Sequence, residues 1–362
     1  QRYMGLYRND WYESASRGGS KLGSLADATD WVNMVISTNA SFLAATHSRF
    51  PTAFSSPLLS TKWLLFEKDP TSPGQTWLRR VTVTAAKQAL KTIKPLLREQ
   101  GGAIAGLFLG DEIMAPFSDI NGTIALVREV LGPGPLLYIN CMQIFSGPGP
   151  SRCHGGQHES LQSLRSRAEP CPQCWWPAVP SGLDLVGFDR YGDGAKEVHA
   201  VKDYARRCLY PLLSPRQRFV AVPGTFADPS QPLGPQDELV AAKLAAYGAW
   251  MKNDSRIGAL NPWHYNRRGG MQPTRMVADL PQRWQLGLES LPRALAQARK
   301  LGRHLLQLAK NDDVTTFDLT AAKSKPLSAR LFGCNVEGYL LGVGQALANY
   351  SDHASTTAVA LA

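Results

Sequence analysis

Ala105-Gly106-Leu107-Phe108-Leu109-Gly110-Asp111-Glu112-Ile113 is a short apolar run between glycines that ends in two adjacent carboxylates. The run Leu107–Leu109 is too short for a helix, and its glycine flanks predict a buried strand. A strand buried on both faces gains nothing by finishing in Asp111-Glu112 unless its end opens onto a cleft. In parallel α/β barrels, catalytic groups sit at strand C-termini. The competing reading makes Asp111 the N-cap of the next helix. A cap accounts for Asp111 but not for Glu112 as well.

The same pattern recurs on either side of this stretch: a short apolar run, a polar or Gly/Pro break, then a longer amphipathic segment. Tyr3–Tyr7, Trp31–Ile36, Trp63–Phe66, Ile104–Leu109, Leu136–Ile139, Leu183–Phe188, Phe219–Val222 and Ile257–Leu260 are the expected strands. Ala40–His47, Trp77–Gln100, Ile120–Leu131, Val198–Leu213 and Gln236–Lys252 are the expected helices. Within Trp77–Gln100, Ala86, Leu90, Ile93 and Leu97 share one face. Eight strands with intervening helices assemble naturally as a (β/α)8 TIM barrel, over residues 1–290. An open doubly wound sheet is the competitor, but no Gly-x-Gly-x-x-Gly follows a strand. Residues 291–362 form a C-terminal helix, the end of a segment starting at Leu286, and an irregular extension that loses periodicity beyond Asn311.

The chain has 362 residues, of which 44% are hydrophobic, enough for a large core. No apolar run is long enough to span a bilayer. The net charge of +10 favours anionic partners in general. Its basic residues are scattered, however, and no nucleic-acid-binding signature appears, so nucleic acid is not an expected partner. The sequons at Asn39, Asn121, Asn253 and Asn349, with the clustered cysteines, point to a secretory route and a glycoprotein.

The expected strand ends carry Arg8, Glu67, Asp111, Glu112, Asn140, Asp189, Tyr191, Trp263, His264 and Tyr265. Carboxylates beside aromatic rings suit a sugar, whose C–H faces stack on rings and whose hydroxyls need acceptors. Glycosidic cleavage needs one carboxyl group to protonate the leaving oxygen and a second to attack or stabilise the oxocarbenium-like centre. Glu112 is the candidate acid, which requires a pKa raised by partial burial or a neighbouring carboxylate. Asp111 supplies that neighbour or binds substrate. Asp189 is the first candidate for the second carboxylate and Glu67 the next. Trp263 is a candidate sugar platform, with Asn140, Tyr191, Arg8, His264 and Tyr265 as substrate contacts. Each has a structural alternative: Asp189 paired with an arginine, Glu67 as a solvated loop charge, Trp263 as ordinary packing.

The string Leu109-Gly110-Asp111-Glu112 resembles the Gly-Asp-Glu motif of the β-hexosaminidases among (β/α)8 glycoside hydrolases. There the Glu is the acid and the Asp orients the substrate's acetamido group. Asp189-Arg190-Tyr191 is similar to the strand-six tyrosine position of the chitinase-like families. The Trp-x-Glu that hexosaminidases carry near the last strand is here Trp263-His264-Tyr265. The resemblance therefore implies the reaction class, glycoside hydrolysis of an oligo- or polysaccharide, without the substrate. No metal or cofactor is expected. A non-catalytic carbohydrate-binding barrel is the alternative.

Between strands five and six lies a Cys-rich insert, with Cys153-His154, His158 and Cys171-Pro-Gln-Cys174. Cys-x2-Cys is a zinc half-site. The sequons favour disulfides instead, with Cys141 and Cys208 as further possible partners. Trp175-Trp176 beside the insert would form part of a substrate wall. An amidohydrolase would want His-x-His where the chain has Arg8-Asn-Asp10. Arg267-Arg-Gly-Gly270 is the sole candidate for a phosphate-binding loop.

Overall fold

The computed structural model describes residues 2–5, 28–71, 77–141, 176–189, 191, 194–227, 231–263 and 286–312, without the side chains of 189 and 308–312. Eight strands form one parallel sheet: β1 (Tyr3–Met4), β2 (Met34–Ser37), β3 (Ser56–Ser60), β6 (Gly106–Phe108), β7 (Leu136–Cys141), β8 (Leu185–Asp189), β9 (Arg218–Val222) and β10 (Ile257–Leu260). Their order is β1-β10-β9-β8-β7-β6-β3-β2. The two ends of that order meet. Gly5 and Met34 form a parallel bridge, and the Asn33 N–H donates to the Met4 carbonyl at 3.0 Å. The sheet therefore closes into a (β/α)8 barrel.

Strand alternation sorts the side chains into two cores. On β9, Val220 packs in the barrel interior with Leu58, Phe108, Tyr138 and Ala259. Its neighbour Phe219 faces outward, into the core beneath the helices with Phe188 and Trp250. Six helices belong to the described outer layer: α1 (Ala40–Arg49), α3 (Val83–Ile93), α4 (Phe117–Leu131), α5 (Gly194–Tyr204), α6 (Leu233–Asn253) and α7 (Pro292–Asp312). A short α2 (Lys62–Leu65) follows β3. Asn39 caps α1, its side-chain oxygen accepting from the Phe42 N–H at 3.2 Å. Asp237 on α6 accepts from the N–H groups of Arg293 and Ala294 at 2.9 and 2.8 Å, which satisfies the start of α7. Ala294, Ala298, Leu301 and Leu305 of α7 are buried.

Two expectations fail here. The third barrel strand is Ser56–Ser60, not Trp63–Phe66. Residues 62–65 turn as α2 instead, leaving Trp63 60% and Leu64 46% exposed. The apolar content of that run had suggested a buried strand, whereas the real strand begins with Ser56-Pro57. Pro57 is tolerated because the ladder to β6 begins one residue later, at Leu58–Gly106. Trp77–Gln100 is also not one helix. Leu78–Arg80 is strand β5, antiparallel to β4 (Phe66–Lys68), and α3 gives way to 3-10 turns at Lys94–Leu96, where Pro95 cannot continue it. Of the residues expected on one face of that stretch, Ala86, Leu90 and Ile93 are buried on α3, and Leu97, also buried, lies beyond its end.

Candidate active site at the barrel mouth

The ladder between β6 and β7 runs past the end of β6. The Leu109 N–H donates to the Tyr138 carbonyl at 2.8 Å, and the Asn140 N–H to the Gly110 carbonyl at 3.0 Å. The chain then turns sharply. Gly110 has φ 150° and Glu112 φ 46°, the left-handed region that residues with a Cβ rarely enter. Such a residue stores about 1–3 kcal/mol of strain, and such positions cluster at functional sites. Asp111 is not the cap of the next helix. That helix, α4, begins at Phe117 with Pro116 at its N-cap.

Two side chains hold the turn. Asn140, wholly buried at the end of β7, donates from Nδ2 to Asp111 Oδ1 at 2.8 Å. Lys62, the first residue of α2, donates from Nζ to the Asp111 carbonyl at 2.7 Å. Burial lowers the Lys62 amine below the ordinary lysine range, and the Asp111 and Glu112 carboxylates oppose that fall. Asp111 is half-buried and Glu112 is exposed. Partial burial is thus not the means by which Glu112 would hold a proton. The neighbouring carboxylate, Asp111, is the other of the two means expected.

The interior changes character towards this end. Asn140 and Asn261 stand two residues beyond the apolar Tyr138 and Ala259 and so share their inward face. Asn261 is completely buried, and neither its Oδ1 nor its Nδ2 has a hydrogen-bond partner. Gly5 makes room for it, since a Cβ there would come within 2.6 Å of Asn261 Oδ1.

Beyond β8, β9 and β10 the strand-end loops bring three rings together. Tyr191 stacks on Trp263 with centroids 5.5 Å apart and planes at 20°. Phe226 meets both edge-on, at 5.7 Å from Tyr191 and 6.0 Å from Trp263. The loops are tied to each other: the Trp263 N–H donates to the Pro223 carbonyl at 2.9 Å and the Thr225 N–H to the Trp263 carbonyl at 2.6 Å.

Asp111, Glu112 and Asn140 are thus brought together, and Tyr191 and Trp263 form a second group in the loops after β8 and β10. Glu67 does not end a barrel strand. It lies in the β4–β5 hairpin opposite Arg79, bonded to its Nε at 2.9 Å, with both side chains about half exposed (46% and 49%). Asp189 is the last residue of β8, but its side chain, like Arg8, His264 and Tyr265, lies outside the described residues. So does the Cys-rich insert with Cys153, His154, His158, Cys171 and Cys174. Cys141 is a buried thiol and not a disulfide half, which removes it from the pairing options. Trp176 is no substrate wall. It is wholly buried and packs edge-on against Phe117 at 6.0 Å. Among the described residues no group of three or more His, Cys, Asp or Glu could hold a metal ion.

Sequence reasoning missed Lys62, because it stands just before the run Trp63–Phe66 that was misread as a strand. It also missed Asn261, although its near neighbours Trp263, His264 and Tyr265 were singled out, and Phe226, which follows the seventh expected strand.

Solved structures share this fold. A β-glucuronidase from Bifidobacterium dentium in complex with coumarin-3-O-glucuronide superposes with a TM-score of 0.51 at 10% identity, over 83% of this chain and 46% of that one. A β-galacturonidase from Eisenbergiella tayi bound to galacturonate gives 0.51 at 8% identity, over 84% and 51%. A β-glucuronidase from Ruminococcus gnavus gives 0.50 at 10% identity, over 83% and 50%. The likeness is one of fold. The chain spans about half the length of these solved chains. No protein-family model matches it, and no curated protein matches it by sequence.

Proposed function

We propose that the chain is a glycosidase that binds an oligo- or polysaccharide across the mouth of its barrel. The observation that carries this reading is the acidic pair on a strained turn at the end of the fourth barrel strand, with the Asn140 amide seated on Asp111. Glu112 protonates the leaving oxygen. Asp111, held by Asn140, orients the substrate. Asp189, on the sixth barrel strand, supplies the second carboxylate. Trp263 and Tyr191 present a ring face to the sugar, and Arg8, His264 and Tyr265 add contacts from the neighbouring loops. Glu67, on its hairpin, is a rim contact at most. The barrels that share the fold include hydrolases of glucuronides and galacturonides, which puts uronides among the first substrates to try.

The test is a panel of chromogenic aryl glycosides, β-glucuronide and β-galacturonide included. Glu112→Gln should lower turnover of any cleaved member by about 10²–10⁴-fold, the worth of a positioned general acid, while ligand binding persists. A Gln variant that keeps most of the parent turnover places the acid elsewhere. The anomer first released, read by NMR, separates retention from inversion.

The exposure of Glu112 favours a second reading, a carbohydrate-binding barrel without hydrolysis. It predicts sugar binding with no release from any aryl glycoside. A secretory route belongs to the same proposal: Asn121 and Asn253 are exposed, so both sequons are open to modification. Enzymatic deglycosylation of protein from secreting cells should shift its mass.

A further inference from the structure

Beneath the aromatic corner lies a buried cluster of charged and polar groups that the proposed chemistry does not use. Glu197 on α5 and Lys243 on α6 form an ion pair at 2.7 Å, with side chains 0% and 5% exposed. Both also grip the backbone of Gly224, in the loop that follows β9. Lys243 Nζ donates to its carbonyl at 2.8 Å, and Glu197 Oε1 accepts from its N–H at 3.3 Å. Tyr247 adds its hydroxyl to Glu197 Oε1 at 3.2 Å. On its other side Gly224 touches the rings, since a Cβ there would lie 2.9 Å from Phe226 and 3.0 Å from Tyr191.

We propose that the Glu197–Lys243 pair is a positioning device. It fixes the Gly224 peptide groups and thereby sets Phe226 and Tyr191 against Trp263, shaping the wall that takes the sugar. A buried ion pair contributes little net stability over well-packed apolar side chains of similar volume. What apolar side chains cannot do is satisfy the buried N–H and C=O of Gly224. Without the pair those groups seek water, the loop lifts, and the ring geometry is lost. The role in ligand binding rests on the proposed sugar site; the clamp itself does not.

The experiment replaces both partners, Glu197→Met with Lys243→Met, and follows hydrogen exchange of segment 223–227 in the intact protein. The expected result is exchange faster by about tenfold or more at 223–227, with β10 close to the parent, as for a local opening. KM for a cleaved aryl glycoside rises with kcat little changed. Tyr247→Phe, a milder change, should speed the same segment by about two- to fivefold, as loss of one hydrogen bond implies. Parent-like exchange at 223–227 in both variants overturns the clamp, as does an acceleration spread evenly over the strands. If the loop loosens but no glycoside is ever cleaved, the clamp stands and the glycosidase reading falls.

Discussion

Through its waist, the barrel interior is filled by Leu58, Phe108, Tyr138, Val220 and Ala259, with the Phe108 and Tyr138 rings 4.9 Å apart. At the C-terminal end the same inward faces carry Asn140 and Asn261, and the adjoining turn carries Asp111 and the strained Glu112. The waist is arranged for stability: mostly apolar and buried. The mouth gives stability away, in a left-handed glutamate, a half-buried lysine and an amide without partners. Functional sites are where such local costs collect.

The contrast can be broken most sharply at the waist. Phe108→Ala should cost about 3–5 kcal/mol in urea unfolding, the range for truncating a buried aromatic. A loss below about 1 kcal/mol would mean the waist is loosely filled and the contrast is false.

Alkaline titration comes next. Burial, with the Asp184 charge, raises the Tyr3 phenol from 10.0 to about 12. The folded protein keeps the proton where the unfolded chain loses it. Stability from this group is therefore complete below pH 10 and lost as pH rises towards about 12. The full contribution is about 2.7 kcal/mol. Tyr210 is also raised by burial, so the measurement is the difference between the parent and Tyr3→Phe across that window. Parallel stability curves for the two would remove the interior tyrosine from the account.

At the mouth the sign should reverse. Asn261→Leu removes an amide that has no partners and should stabilise the protein by about 1–2 kcal/mol, the scale of an unsatisfied buried group. A destabilised leucine variant would show that the amide already has its partners, in ordered water. Outside both regions the effect should nearly vanish. Glu67→Ala breaks an exposed pair with Arg79 and should change stability by less than about 0.5 kcal/mol. A larger loss would make the β4–β5 hairpin part of the site's framework.

Much of the barrel was legible residue by residue. Seven of the eight barrel strands overlap the apolar runs proposed for them, and the carboxylate pair stands at the end of the fourth. Strand periodicity and glycine punctuation are local properties, and a chain writes them where they act. The third strand was not legible, because Ser56-Pro57-Leu58-Leu59-Ser60 owes its burial to β2 and β6 and not to its own composition. The Lys62 bond to Asp111 spans 49 residues, the Asn140 bond 29 and the Lys243–Glu197 pair 46. What the sequence determined by itself is a row of strands and the place of an acidic pair. Which amide, amine and rings surround that pair only the closed barrel decided, because hydrogen bonds and ring contacts depend on proximity in space, and the order of the chain does not encode it.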